Sequence, residues 1–196
     1  GEMPDNAESI WVATCEQNPP LNTVSYSVCA IGDTSYDEFC KAGLDWDDKF
    51  NQLGASRVHD IQLCDVDYEP EWEKWANSAL QVMSDLDTGT VTVDESEMIE
   101  EVVTTQAAPA AISGEAIGEL LGLMEGDRSL AILFGSQTGN AAGLAEKTAK
   151  LAANYGLVPT VYDMDGLDAS TLANHKRTLI ITSTWGEGEM PDNAES

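Results

Sequence analysis

Residues 130–141 read LAILFGSQTGNA, and this stretch decides the fold class of the 196-residue chain. Its first five residues, 130–134, are all apolar, which is typical of a strand buried in a parallel sheet. A turn of glycines and hydroxyl side chains follows, and residues 141–155 then carry apolar positions at helical spacing. Backbone N–H groups at the start of a helix attract phosphate. Because the turn has no lysine, unlike a Walker loop, it predicts a phosphate monoester held by neutral donors.

Strands and helices are predicted to alternate along the rest of the chain. Besides the pair above, the predicted strands are 26–31, 58–64, 157–162 and 177–184, and the predicted helices are 7–16, 37–53, 70–85 and 168–174. Such alternation predicts a parallel sheet with helices on both faces. The strand–helix units fit a doubly wound α/β fold with a five-stranded sheet of order 2-1-3-4-5. Trp72 and Trp75 are expected to pack in its core.

The two ends of the chain carry the same nine residues, GEMPDNAES, at 1–9 and at 188–196. We interpret this as a domain opened inside the loop after its third strand, so that the chain is circularly permuted. Joining the copies gives TSTWGEGEMPDNAESIWVATCEQ, with Asp5 and Asn6 as caps of the next helix. Residues 1–87 are then the C-terminal half of the domain and 128–196 its N-terminal half. A deliberate permutant, a fragment of tandem domains and a swapped assembly all remain open.

The middle of the chain is predicted to be an acidic, flexible linker over 88–127. No lysine or arginine lies between Lys74 and Arg128, whereas eleven acids fall within 85–127. The segment TTQAAPAAISG is small, polar and broken by proline, which is typical of a tether. Apolar residues recur at helical spacing over 115–124, where a short helix is expected.

The chain is strongly acidic, with 9 basic and 35 acidic residues and a net charge of -26. Such a surface repels nucleic acids and anionic membranes, and it attracts a basic protein partner or serves solubility alone. The four cysteines show no CxxC spacing, and no apolar segment reaches the length of a membrane span. We therefore expect a cytoplasmic protein.

Four motifs occur in a consistent permuted order: GSQTGNA, TSTWGEGEMPDNA, AIGDTSYDEFCKAG and LGASRVHDIQLCDVDYEPEWEKW. Together they resemble the flavodoxin-like FMN domains of diflavin reductases, of the sulfite reductase flavoprotein and cytochrome reductase type. The resemblance covers about 128–196 and 1–87 and leaves only the linker outside. It implies a flavodoxin-like fold with FMN as the cofactor.

The resemblance also implies which residues contact FMN. Those expected to hold the phosphate are Ser136, Gln137, Thr138, Gly139, Asn140 and Ala141. Around the ring, Trp185 and Tyr36 are expected to sandwich its two faces. Gly186 and Gly188 are expected at its edge, with Ser183 and Thr184 in the same loop. Gly32 and Asp33 are expected at its pyrimidine side, with Asp65 nearby. One carboxylate about 6 Å from the ring disfavours added negative charge by about 2–3 kcal/mol, which is about 100 mV. Acids such as Asp33, Glu187 and Asp65 are therefore expected to lower the second reduction potential.

No catalytic residue and no metal ligand are predicted, since His59 and His175 fall in no ligand pattern. The resemblance implies an electron carrier within an NADPH-dependent diflavin oxidoreductase system. FMN would receive electrons from an FAD/NADPH reductase module and deliver them to a haem or iron–sulfur acceptor with a basic docking face. Two alternatives remain: an NAD(P)H:quinone oxidoreductase of flavodoxin fold, and an engineered or domain-swapped permutant with weakened FMN binding.

Overall fold

The computed structural model describes residues 3–86, 127–136 and 138–184. One compact unit is formed by Gly1–Ser84 together with Arg128–Ser196. Asp85–Asp127 is a second unit, and only its residues 85, 86 and 127 are described. The predicted linker and the helix expected over 115–124 thus lie almost entirely outside the described residues.

The first unit alternates strands with helices. Its strands are β1 (Ser25–Ile31), β2 (Ser56–Arg57), β3 (Gln62–Cys64), β4 (Ser129–Gly135), β5 (Val158–Asp163) and β6 (Arg177–Ser183). Its α-helices are α1 (Asp5–Gln17), α2 (Lys41–Gln52), α3 (Glu69–Asp85) and α4 (Asn140–Ala152), with short 3₁₀ helices at Ala153–Tyr155 and Ala169–Asn174. No helix in the described part of the chain combines the length and the apolar character that crossing a bilayer requires.

All strand pairs are parallel, and the sheet runs β5-β4-β6-β1, with β2 and β3 both paired to β1. If β4 is numbered 1, β5 2, β6 3, β1 4 and the pair β2/β3 5, this is the order 2-1-3-4-5. The predicted doubly wound α/β class is therefore confirmed. Strands on the β1 side come from residues 25–64, and the others come from residues 129–183.

The prediction of one continuous strand over 58–64 is wrong, because the edge strand is split. Residues 25 and 26 of β1 pair with 56 and 57, and residues 29–31 pair with 62–64. From Tyr26 to Cys29 β1 advances three positions, while its neighbour advances five, from Arg57 to Gln62. The two extra residues form a bulge, which an edge strand tolerates because only one side of it is paired.

Four predictions about helices also need correction. The helix expected from residue 37 begins only at Lys41, because Cys40 at its N-cap is left-handed with φ 56°. The helix expected over 141–155 ends at Ala152 and tightens into a 3₁₀ turn, and 168–174 is likewise 3₁₀. At the start of α1 the N-cap is Pro4, with no side-chain cap bond, so Asp5 and Asn6 do not cap that helix.

The sheet is covered on both faces. One core cluster joins α3 and α4 to the sheet through residues such as Trp75, Leu80 and Leu144, and the other joins α1 and α2 through Ile10, Trp46, Phe50 and their neighbours. Trp72 and Trp75 are 6% and 1% exposed, as expected for core residues. Each buried aromatic side chain of this kind stabilises the fold by about 2–3 kcal/mol.

Two arginines fix the carboxyl end of α3. Arg177 is buried, and its Nε donates to the Met83 carbonyl at 2.8 Å. Arg128 Nη1 donates to the Ser84 carbonyl at 2.8 Å. These carbonyls lack partners within the helix, and a cation beside them also opposes the negative end of the helix dipole. Both bonds lie within the first unit.

Candidate functional site

Four loops meet along the edge where the parallel strands end. They begin at Ser136 after β4, Thr184 after β6, Gly32 after β1 and Asp65 after β3. Because β4, β6, β1 and β3 are neighbours in the sheet, these loops follow one another along the edge. Ligands of open α/β sheets bind at this edge.

The loop between β4 and α4 has the features of a phosphate-binding turn. Gly139 is left-handed with φ 87°, and among the described residues no neighbouring atom lies within 4 Å of where its Cβ would be. Helix α4 begins without a side-chain cap and has no acidic residue in its first turn. Its amino end therefore presents backbone N–H groups and a positive dipole that suit an anion. The hydroxyl of the exposed Thr138 adds a neutral donor.

Within this loop the described residues do not all present their side chains. Asn140 is exposed, whereas Ala141 is fully buried and offers only its backbone. The hydroxyl of Ser136 accepts a hydrogen bond from the Gly139 N–H at 2.9 Å, which closes the turn. Ser136 thus shapes the loop as well as lining it.

Asp65 joins the loop after β3 to the loop after β1. Its carboxylate accepts from the Thr34 hydroxyl at 2.6 Å and from the Thr34 N–H at 3.1 Å. It also accepts from the Val66 N–H at 2.8 Å. The Thr34 hydroxyl first, and then these two N–H groups, lower the pKa of Asp65 below its usual value. The carboxylate predicted to act as a charge near the ring is therefore engaged in joining two loops.

The loop after β1 carries Gly32, Asp33 and Tyr36. A Cβ on Gly32 would lie 2.7 Å from the Cys40 backbone nitrogen, so no larger residue fits there without displacing the chain. The Asp33 carboxylate accepts from the Ser35 N–H at 2.8 Å and forms a local turn. Tyr36 follows that turn and is 46% exposed, which leaves its ring free to stack on a planar ligand.

Ser183 ends β6 and Thr184 begins the loop after it, and both are half-buried. The Thr184 N–H donates to the Ile31 carbonyl at 2.9 Å. Its hydroxyl accepts from the Ala42 N–H in the first turn of α2 at 3.1 Å, and this leaves the hydroxyl proton available to a ligand. Of the residues predicted to bind the cofactor, Gln137, Trp185, Gly186 and Gly188 lie outside the described residues, as does Glu187.

In sequence, the loops after β1, β3 and β6 carry acids, the loop after β4 is neutral, and none of the four contains lysine, arginine or histidine. An anion at this edge therefore depends on neutral donors and on the α4 dipole. Within residues 3–86, 127–136 and 138–184, no three His, Cys, Asp or Glu side chains are grouped to hold a metal ion. His59 lies 2.9 Å from the Ser78 hydroxyl, and His175 packs on the Tyr162 ring at 5.1 Å, so neither joins the site.

Sequence reasoning missed two residues of this edge. Thr34 makes the cross-loop bonds to Asp65. Asn6 bonds the Ser136 N–H at 2.8 Å across 130 positions of the chain. The sequence marked Asn6 only as a member of the repeated nine residues and as a predicted helix cap, not as a partner of Ser136; nothing in the local pattern marks Thr34.

Comparisons with known proteins agree with this architecture. The flavodoxin family model matches residues 1–78 and 132–196. The sulfite reductase [NADPH] flavoprotein alpha-component of Buchnera aphidicola subsp. Acyrthosiphon pisum is 42% identical over 82 residues, covering 41% of this chain and 14% of that protein. Its namesake from Shewanella oneidensis is 36% identical over 115 residues, covering 58% and 18%. That from Vibrio parahaemolyticus is 37% identical over 110 residues, covering 55% and 17%.

The chain thus spans less than a fifth of the length of these relatives. No solved structure matches it significantly. The family match, by contrast, extends over most of the chain and includes every described strand apart from the first residues of β4. The chain belongs to the flavodoxin family, whose members are FMN-binding flavoproteins of electron transport.

Proposed function

We propose that this chain binds FMN at the edge formed by Ser136, Gly32 and Asp65 and works as an electron-transfer domain. In this proposal it receives electrons from an FAD/NADPH reductase module and delivers them to a haem or iron–sulfur protein. FMN supplies one- and two-electron chemistry when it is bound. The protein's own residues hold it, orient it and set the charge around it.

The single observation that carries the proposal is the amino end of α4. It follows a left-handed Gly139, has no side-chain cap and has no acid in its first turn, although the chain as a whole is strongly acidic. Of the other α-helices, α1 and α3 place acids in their first turns. Helix α2, like α4, has none, but its Ala42 N–H is already bonded to the Thr184 hydroxyl. A phosphate monoester fits the amino end of α4, with Thr138 and Asn140 as further donors.

The neighbouring loops support binding of a flat ring beside that phosphate. Tyr36 is nearly half exposed, and its loop is fixed to the next one by Asp65. Trp185 is proposed to cover the opposite face of the ring, with Gly186 and Gly188 at its edge. Acids close to the ring, including Asp33, would then make added negative charge on it less favourable.

The names of the relatives support an NADPH-derived electron source, because they are NADPH-dependent sulfite reductase flavoproteins. The net charge of -26 supports a basic docking face on the acceptor. Transfer to a basic haem protein such as cytochrome c should slow as ionic strength rises, because salt screens this attraction. A rate that is independent of salt would contradict the docking proposal.

Flavin titration tests the proposed cofactor. We expect bound FMN to give visible flavin absorption and quenched flavin fluorescence, and to bind more tightly than riboflavin, which lacks the phosphate. Thr138→Ala should weaken FMN binding about tenfold, the effect of one hydrogen bond to a charged group. Thr160→Ala is the matched control, since Thr160 is an exposed threonine on β5. Failure of the wild-type chain to bind FMN would refute the proposal.

Steady-state kinetics separates a carrier from an enzyme. The FMN-loaded chain alone should not oxidise NADPH, and electrons should reach it only when a reductase module is added. Rapid NADPH oxidation by the chain with a quinone as acceptor would instead support the alternative, a quinone oxidoreductase of flavodoxin fold.

We further propose that 1–87 and 128–196 are two halves of one permuted domain, joined by an acidic linker at 88–127. The matched ranges 1–78 and 132–196 support this division. A break within a flavin-contacting loop should weaken FMN binding relative to an unpermuted version, because ordering the loop opposes binding. Sedimentation at several protein concentrations tests the swapped alternative, in which halves from two chains complete each site.

A further inference from the structure

The Asn6 side chain connects three separate elements beside the phosphate-binding turn. Its Oδ1 accepts a hydrogen bond from the Ser136 N–H at 2.8 Å, and its Nδ2 donates to Asp163 Oδ1 at 2.8 Å. Ser136 directly follows β4, and Asp163 is the last residue of β5. One amide group from α1 therefore ties together the ends of two adjacent strands.

These bonds continue into the turn itself. Ser136, held through its N–H by Asn6, accepts from the Gly139 N–H through its hydroxyl at 2.9 Å. Gly139 is the N-cap of α4. On the other side, Asp163 Oδ1 also accepts from the Asp165 N–H at 3.0 Å, which fixes the orientation of that carboxylate. The chain of bonds thus runs from β5 through Asn6 to the amino end of α4.

Asn6 is itself held in place by packing. Its neighbour Ala7 is fully buried, and Ile10, one turn later, is 1% exposed. A Cβ on Gly135 would come within 3.0 Å of the Ala7 Cβ, so the first turn of α1 lies directly against the end of β4. The side chain of Asn6 does not cap α1, where Pro4 is the N-cap and no side-chain cap bond is made.

We propose that Asn6 is a positioning residue for the phosphate-binding turn, and that the repeat copy at 1–9, rather than the copy at 188–196, supplies it. This inference rests on the proposed binding of FMN. Both polar groups of the Asn6 side chain are bonded to protein atoms, so in this inference Asn6 acts through Ser136, by fixing where the turn leaves β4. The copy at 1–9 continues directly into the buried positions of α1, and this continuity holds its asparagine against Ser136.

The repeat offers a matched pair of variants, Asn6→Ala and Asn193→Ala, which change the same residue in the same local sequence. With the full chain, we expect Asn6→Ala to weaken FMN binding about five- to twentyfold, the effect of losing one or two hydrogen bonds that order the turn. Asn193→Ala should leave FMN affinity unchanged. Riboflavin should bind both variants as it binds the wild type, because it lacks the phosphate that the turn would hold.

Exchanging the asparagine and the aspartate between positions 6 and 163 provides a rescue test. Asn6→Asp still accepts from the Ser136 N–H but faces the Asp163 carboxylate, so FMN should bind more weakly than to Asn6→Ala. Adding Asp163→Asn restores a donor on the opposite side, and affinity should return to within about threefold of the wild type. Far-UV circular dichroism and thermal unfolding of each variant identify any loss of fold.

The outcomes are distinct. Wild-type affinity in Asn6→Ala, equal losses in Asn6→Ala and Asn193→Ala, or equal losses for riboflavin and FMN would each overturn the positioning role. Absence of rescue in a folded double variant would do so as well. Absence of FMN binding by the wild type would instead refute the proposed function, and with it the purpose assigned to Asn6.

Discussion

Gly139 and Gly143 lie one turn apart at the start of α4, and replacing each by alanine isolates the backbone conformation of the phosphate-binding turn. Apart from chain neighbours and the helix's own backbone, no atom of the described residues lies within 4 Å of a Cβ at either position, so neither substitution causes a clash with them. They differ in conformation: Gly139 has φ 87°, whereas Gly143 lies inside the helix and donates to the Gly139 carbonyl at 3.0 Å. Opposite effects on stability follow from this difference.

The magnitudes come from the cost of left-handed backbone and from helix propensity. Holding an alanine at the φ of Gly139 destabilises the folded state by about 1–2 kcal/mol. Alanine also has less conformational entropy than glycine in the unfolded chain, which offsets about 0.4–1 kcal/mol of this. Gly139→Ala should therefore destabilise the fold by about 1 kcal/mol. Gly143→Ala should stabilise it by about 0.8–1 kcal/mol, the preference of a helix interior for alanine. The two variants should differ by about 2 kcal/mol.

Urea unfolding of the FMN-free protein measures this difference. With a slope of about 2 kcal/mol per molar urea, the two midpoints should lie about 1 M apart, with unchanged slopes. In FMN titrations, Gly139→Ala should bind more weakly and Gly143→Ala should match the wild type. Equal stabilisation by both alanines, with unchanged FMN affinity, would show that the turn does not need a left-handed residue and would refute the reasoning.

Three further predictions concern groups away from α4. Of the four free cysteines only Cys15 is exposed, so native protein should react with one equivalent of Ellman's reagent and denatured protein with four. Burial raises the pKa of Tyr26 from 10.0 to about 12, so the contribution of the neutral Tyr26 side chain to folding stability is present below pH 10 and lost as pH rises towards 12. In urea titrations across that pH range, Tyr26→Phe should lose less stability per pH unit than the wild type. An unchanged dependence of stability on pH would contradict the assignment. The Thr34 hydroxyl, and then the Thr34 and Val66 N–H groups, lower the pKa of Asp65. The contribution of its carboxylate to folding stability is therefore present above the usual pKa of 3.8 and lost as pH falls below that value. In that acidic range, the stability of Asp65→Asn should depend less on pH than that of the wild type. The variant should bind both FMN and riboflavin more weakly, because both ligands need the loops around the ring. Unchanged riboflavin binding would argue against a loop-joining role.

The fold was predictable where a short pattern determines local structure. The apolar run expected at 130–134 is β4, longer by one residue at each end, because burial on both faces leaves such a segment few alternatives. Where a tertiary contact decides, prediction failed. Cys40 is left-handed and delays α2, and the thiol of Cys40 donates to the Ala30 carbonyl at 3.4 Å, a contact with a strand ten residues earlier.

The site was predictable only as a set of loops. Parallel strands bring their carboxyl ends to one edge, so residues such as Ser136 and Tyr36 could be placed there from sequence. The bonds that order those loops could not be predicted. Asp65 reaches Thr34 across 31 positions, and Asn6 reaches Asp163 across 157, and neither spacing corresponds to any local periodicity.

The bulge between β2 and β3 also affects how the molecule meets its neighbours. An outer strand with a continuous row of free donors and acceptors invites a strand from another molecule to add to the sheet. In the described part of the chain, that border consists of strands of only two and three residues, β2 and β3. The opposite border, β5, contains Pro159, which lacks the N–H that would bond to an added strand. Both borders are thus poor templates for sheet extension, which protects a crowded solution of this protein from edge-to-edge aggregation.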